Sequence, residues 1–155
     1  MQDLRTILSS SQLSALRAAY DPEAMRAAMI RTIAEPYPPL GPWNEAIAAT
    51  FYDAASPLKA VDRERCLLAI LSSANVPTSL AIHVYWGLME GLSVEEICHI
   101  QTLAACYSGV PSLSRSLPAL HETLHVLAKI SETTERGSID VLKVLVGTLT
   151  SLKAK

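Results

Sequence analysis

Apolar residues recur every three or four positions along most of this chain. No segment of convincing length shows the period of two that a half-buried strand requires. Near the start, Leu13, Leu16 and Tyr20 fall at helical spacing. Asp21-Pro22-Glu23 then reads as an N-cap followed by proline at the first helical position. The helix it opens is expected to run through Met25, Met29 and Ile33. Between Pro36 and Pro42 there are four prolines in seven residues, which predict a stiff, extended connector. The part before it is too short for a core of its own, so the connector is expected to pack on the same domain.

Trp43, Ile47 and Phe51 at i, i+4 and i+8 predict a short apolar helix over 43–55. Asp62 is the expected cap of the next helix, on which Leu67, Leu68 and Leu71 share a face with Glu64. Pro77 opens a further helix that carries His83, and Gly91 closes it in a left-handed conformation. Ser93 and Glu96 have the spacing of a capping box, with a helix to about Ser108, where Gly109 and Pro111 stop it. Leu117, Leu120, Leu124 and Leu127 predict a helix within 113–131 that begins near Pro118. Ser138 is the expected cap of a last helix over 138–153, with Ile139, Leu142, Val146 and Leu149 inward. The sum is an all-α bundle of six to eight helices in one domain, 1–155. Residues 1–42 form a helical extension and its proline-rich connector.

Composition narrows the function classes. Half of the residues are hydrophobic and 18% are charged, which is apolar for a small domain and predicts further surface buried in a homo-oligomer. A net charge of −2 argues against nucleic-acid binding, which needs a concentrated basic face. No run of eighteen apolar residues exists, so no membrane span is expected. The first twenty residues lack the basic and apolar regions of a secretory signal. Cys66, Cys98 and Cys106 are odd in number and lack paired zinc spacing, consistent with reduced thiols and a cytoplasmic location.

The order of parts is more specific than any of them alone. Glu64 and His83 stand nineteen positions apart on consecutive helices; Gly91, Glu95-Glu96-Ile97 and Tyr107-Ser108-Gly109-Val110-Pro111 follow. Over roughly residues 58–112 this order resembles the carboxymuconolactone decarboxylase family, which includes the alkylhydroperoxidase D-like proteins. The resemblance implies that 43–131 is the family-like core. It also implies assembly as trimers or hexamers, and a cofactor-free lyase-type acid–base site built on Glu64 and His83. In the family's peroxidase branch a Cys-x-x-Cys pair lies between these residues. Here those positions are Val76 and Ser79, neither of which forms a thiolate, so thiol peroxidase chemistry is not expected. In the decarboxylase branch an Arg follows the His by two residues; here that position is Tyr85, which offers one neutral donor instead of a charged fork. A family Glu is replaced by His99.

The expected chemistry is proton transfer on a small lactone or keto acid, including decarboxylation or isomerisation. Glu64 is the expected acid/base, held in apolar surroundings that raise the pKa of a carboxyl, and His83 its proton partner. Tyr85 is an oxyanion donor and substrate contact, with His99 and Tyr107 as further substrate-side residues. Tyr85 lies about 200° around the helix from His83, so it is also placed to meet a neighbouring subunit. The competing reading of Glu64 and His83 is a core pair that fixes helix register in a catalytically silent ligand-binding or assembly protein. Glu95, His99, Thr102 and Cys106 form a second stripe, read as a semi-buried polar or intersubunit face. His121-Glu122-Thr123-Leu124-His125 matches HExxH, which on a helix presents two imidazoles for zinc. Ala128 and Ser131 stand where the long form of that motif has Gly and a third His, so no metal is assigned and a zinc hydrolase is the lesser alternative.

Overall fold

A computed structural model describes residues 3–25, 27–28, 39, 41–43, 45–46, 56–133 and 137–153, the side chains of 149–153 excepted. A 3-10 turn at Leu4–Thr6 precedes six α-helices: α1 Ser10–Ala18, α2 Ala60–Ala74, α3 Pro77–Met89, α4 Val94–Ser108, α5 Val110–Ser131 and α6 Ser138–Lys153. Helical backbone also occurs at 22–25, 27–28, 41–43 and 45–46, and no strand is found among the described residues. The all-α expectation holds. Met29, Ile33, Ile47, Phe51 and most of the proline-rich connector lie outside the described residues.

Helix α3 is the axis of the fold. It is apolar on every side, and nine of its thirteen residues are buried, the pattern of a helix enclosed by others. It touches α1, α2, α4, α5 and α6. Its ends are set by local chemistry. Pro77 occupies the first turn, where its missing N–H costs nothing. At the other end Gly91 adopts φ +106°, the Leu92 N–H bonds to the Gly87 carbonyl at 2.8 Å and the Gly91 N–H to Leu88. That is a Schellman closure, and it needs a residue without a Cβ at Gly91. Ser93 and Glu96 then form the expected capping box for α4.

Three sequence expectations are corrected. Helix α2 begins at Ala60 after Lys59, not after Asp62; Asp62 sits in its first turn, where its carboxylate accepts from Arg65 at 2.6 Å. Helix α5 begins at Val110, eight residues before Pro118, because Pro111 already supplies the start and Pro118 is carried inside the helix. Leu120, Leu124, Leu127 and Ile130 are buried along one face of α5, and that packing outweighs the one backbone bond Pro118 lacks. In α6 the inward face is Ser138, Val141, Leu142 and Leu145; Ile139 is half-buried, Val146 is exposed and the side chain of Leu149 is not described.

Ser138 does not cap its own helix. Its buried hydroxyl accepts from the Asp21 N–H at 2.6 Å and donates to the Ala19 carbonyl at 3.0 Å. The turn after α1 is thereby pinned to the start of α6. Three more bonds hold the N-terminal segment: Arg17 donates through Nε and Nη2 to the Leu88 carbonyl at 3.1 and 2.9 Å, and Gln12 donates to the Ala128 carbonyl. The cation at the end of α3 also complements that helix's dipole. Asp21 then caps the next turn, accepting from the Ala24 N–H at 3.0 Å, and buries Met25 behind it.

Candidate functional site

Glu64 and His83 meet. On α2, Glu64 shares its face with Leu68 and Ser72, and all three are buried. After Ala74, Asn75 takes a left-handed conformation and the chain turns into α3, which brings His83 against Glu64. The His83 Nδ1 to Glu64 Oε2 distance is 2.9 Å, with the two side chains 12% and 6% exposed. Trp86 stands edge-on to the imidazole, 5.0 Å between ring centres. This is a buried carboxylate–imidazole pair held in a fixed orientation.

Glu64 borders a cleft of about 190 Å³. From α2 the cleft takes Ala60, Arg63 and Glu64; from α3 and its cap it takes Trp86 and Glu90; from the N-terminal segment it takes Tyr20, Pro22 and Glu23. His83 does not line it, so Glu64 is the member of the pair that borders the cleft. Tyr20 reaches across, its hydroxyl donating to Glu90 Oε1 at 3.4 Å. Burial, then the negative charges of Glu90 and Glu64, raise the Tyr20 phenol far above its usual pKa, so it remains a neutral donor. Arg63 donates Nη1 to the Leu58 carbonyl at 2.7 Å.

The other expected site residues are elsewhere. Tyr85 is sealed in the core at 0% exposure, edge-on to Tyr20 at 5.9 Å between rings, and is not part of the cleft lining. It does not face outward to a neighbour either. Burial raises its pKa; Ser138 opposes this weakly, yet the Tyr85 hydroxyl has no partner at hydrogen-bonding distance. His99 is exposed on α4, and Tyr107 is 95% exposed at its end. The stripe of Glu95, His99, Thr102 and Cys106 is exposed throughout, not semi-buried within this chain. Trp43 is 59% exposed.

His121 and His125 stack edge to face with ring centres 4.5 Å apart. They border different grooves, His121 one shared with Leu4 and Leu117, His125 one shared with Glu122 and Lys129. Among the described residues no group of three His, Cys, Asp or Glu side chains is placed to hold a metal ion. The three cysteines are free thiols; burial raises the pKa of Cys98, which makes it a poor nucleophile.

Sequence reasoning missed Tyr20, Arg63 and Glu90. Two of the three were within reach. Ala60, Arg63 and Glu64 lie at i, i+3 and i+4, and His83, Trp86 and Glu90 at i, i+3 and i+7, so each set shares a helical face. Tyr20 carries no such signal, since its position depends on contacts far apart in sequence.

A comparison with known protein families matches residues 42–122 to the Carboxymuconolactone decarboxylase family. Neither the comparison with curated proteins nor that with solved structures returns a match.

Proposed function

The chain belongs to the carboxymuconolactone decarboxylase family, and on that basis we propose that it is a cofactor-free acid–base enzyme acting on a small carbonyl or lactone compound. The observation that carries this reading is the 2.9 Å bond between His83 and Glu64 with Glu64 bordering the cleft. In the proposed reaction the Glu64 carboxylate takes a proton from the carbon beside the carbonyl. The electron pair of that C–H bond moves into an enolate, and the protonated Glu64 then returns a proton to carbon. His83 is a positioning residue: it fixes the orientation of Glu64 and exchanges the proton with it. Arg63 borders the same cleft, and its guanidinium N–H groups not held by Leu58 serve the enolate oxygen in place of the buried Tyr85.

Val76 and Ser79 stand where a Cys-x-x-Cys pair would be needed, which supports acid–base rather than thiol chemistry. Self-assembly is part of the proposal: Leu103, Tyr107 and Val110 are exposed apolar residues near the junction of α4 and α5, fitted to contact another copy. The burial of Tyr85 favours a second reading, a catalytically silent ligand-binding member of the same family, because one expected donor is absent from the cleft.

Exchange of carbon-bound hydrogen with D₂O separates the two. Small cyclic ketones and lactones are followed by proton NMR with wild type, Glu64→Gln and His83→Asn. The enzyme reading expects exchange above buffer that falls by about a hundredfold or more in Glu64→Gln, the usual size of a general acid–base contribution. Exchange that survives Glu64→Gln, or no exchange with any compound, removes the enzyme reading in favour of the silent binder.

A further inference from the structure

Two of the four histidines lie together, away from the Glu64 cleft. His121 and His125 are one turn apart on α5, where side chains at i and i+4 leave the helix side by side. Their rings stand 4.5 Å apart between centres and at 66° to each other. His121 is half-buried and His125 exposed. The backbone beneath them is held in place, because Leu120, Leu124 and Leu127 of the same helix are buried. Among the described residues neither imidazole takes part in a hydrogen bond or an ion pair. The other two histidines differ. His83 is bonded to Glu64 at 2.9 Å, and His99 has Glu95 and Leu103, not a second imidazole, one turn to either side.

We propose that His121 and His125 form a surface site for a divalent transition-metal ion of the nitrogen-preferring kind, Zn²⁺, Ni²⁺ or Cu²⁺, held by both imidazoles with water in the open positions. A neutral imidazole is the commonest metal ligand, and two on adjacent turns of one helix chelate from a backbone that is already ordered. The site has two protein ligands and no more: among the described residues no third His, Cys, Asp or Glu side chain is placed to join them. Binding is therefore reversible, unlike that of a closed four-ligand zinc site. Glu122 and Lys129 both border the groove beside His125, so selection rests on nitrogen donors rather than on a surplus of negative charge. Mg²⁺ and Ca²⁺ seek oxygen ligands and are excluded on that ground, whereas Cu²⁺ heads the order of affinity among the others. The site is independent of the proposed function, since none of the described walls of the Glu64 cleft comes from α5.

The test reads binding of the metal alone. Zinc sulfate is titrated by calorimetry into reduced wild type, His121→Asn, His125→Asn and His99→Asn, and magnesium sulfate into wild type. Wild type and His99→Asn are expected to bind Zn²⁺ alike, and each α5 variant at least about tenfold more weakly, because a lone imidazole has no chelate partner. Mg²⁺ is expected to give no binding heat. The four histidines also serve as reporters within the wild type: Zn²⁺ should shift the ring ¹⁵N resonances of His121 and His125 together and leave His83 unmoved. That readout stands even where a variant fails to fold. No Zn²⁺ binding to wild type up to about 1 mM, an affinity unchanged in either α5 variant, or shifts that spare one ring of the pair overturns the proposal. Zn²⁺ that binds equally to both α5 variants and to wild type is held elsewhere, with the exposed thiols of Cys66 and Cys106 as its ligands, and overturns it equally.

Discussion

The Glu64–His83 pair makes a thermodynamic prediction that does not depend on knowing the substrate. The perturbation is a double-mutant cycle: Glu64→Leu, His83→Leu and both together. The two side chains are 6% and 12% exposed and joined at 2.9 Å. His83→Leu strands a buried carboxylate, for which breaking a buried pair costs about 3–5 kcal/mol; because Glu64 borders the cleft, the expected loss lies near about 3 kcal/mol. Glu64→Leu strands an imidazole, a smaller desolvation penalty partly offset by apolar contact with Leu68, so about 1–2 kcal/mol is expected. The double variant has neither stranded group, and apolar replacement of a buried pair is neutral or stabilising, so its stability should lie within about 1 kcal/mol of wild type or above it. The coupling energy is then about 3–5 kcal/mol. Urea unfolding of the four proteins at pH 7 measures it, and at about 2–4 °C per kcal/mol the His83→Leu loss is also visible as a Tm shift. Retention of an ion-capable pair that the fold does not need is what a functional site predicts. A double variant that loses the sum of the singles would refute the reasoning, since the two groups would not share an interaction. A double variant as poor as His83→Leu would make the pair a structural element.

Other predictions test the frame around the site. Ser138→Ala removes both bonds to the chain at Ala19 and Asp21 and should cost about 1–3 kcal/mol in denaturant unfolding, with faster amide exchange at Asp21; unchanged exchange there would show that the pin is idle. Gly91→Ala should cost about 1–2 kcal/mol from φ +106° alone, since nothing lies within 4 Å of the added Cβ. Gly147→Ala, inside α6 and also in open space, should instead gain about 0.5–1 kcal/mol, so equal effects at the two glycines would refute the backbone explanation. Gln101 is fully buried with neither amide atom bonded, so Gln101→Leu should raise stability by about 1–3 kcal/mol; a loss would mean that the amide is satisfied in solution. Tyr20 has a folded-state pKa raised above the ordinary 10.0, which favours the protonated folded form. Its contribution is complete below pH 10.0 and lost as pH rises toward the folded value, so alkaline titration of Tm should fall less steeply in Tyr20→Phe than in wild type.

What the sequence disclosed follows the range of the interactions involved. The ends of α3 and the start of α4 were legible because Pro77, Gly91 and the Ser93–Glu96 box act within one turn of themselves. The meeting of Glu64 and His83 was legible because each lies on the buried face of its own helix and a two-residue link joins the helices. Asp62 and Ser138 misled because each is a good cap with a better distant or sideways use, Arg65 in one case and the Ala19–Asp21 turn in the other. Pro118 misled because Pro111 had already begun the helix, and burial of a long leucine face carries an internal proline. Tyr85 misled for a different reason. Rotation about the helix set its direction correctly as away from His83, but only the packed fold shows that this direction is core and not surface.

The two walls of the cleft belong to parts of the chain held in place differently. Glu64 and His83 sit on α2 and α3, within the family-matched residues 42–122, and are fixed by a short link and by a helix with nine of its thirteen residues buried. The opposing wall of Tyr20, Pro22 and Glu23 lies outside that match. Hydrogen bonds from Arg17 to Leu88 and from Asp21 to Ser138 hold it, each worth about 1 kcal/mol net for a neutral pair and somewhat more with charge. Buried Leu16 and Met25 anchor the same segment, so loosening the wall costs apolar contact besides those bonds. Substitutions in the N-terminal segment are therefore able to change what the cleft admits while leaving the Glu64–His83 geometry intact. Glu64 and His83 are set by the hairpin of α2 and α3, and the opposite wall of the cleft by what is packed across from it.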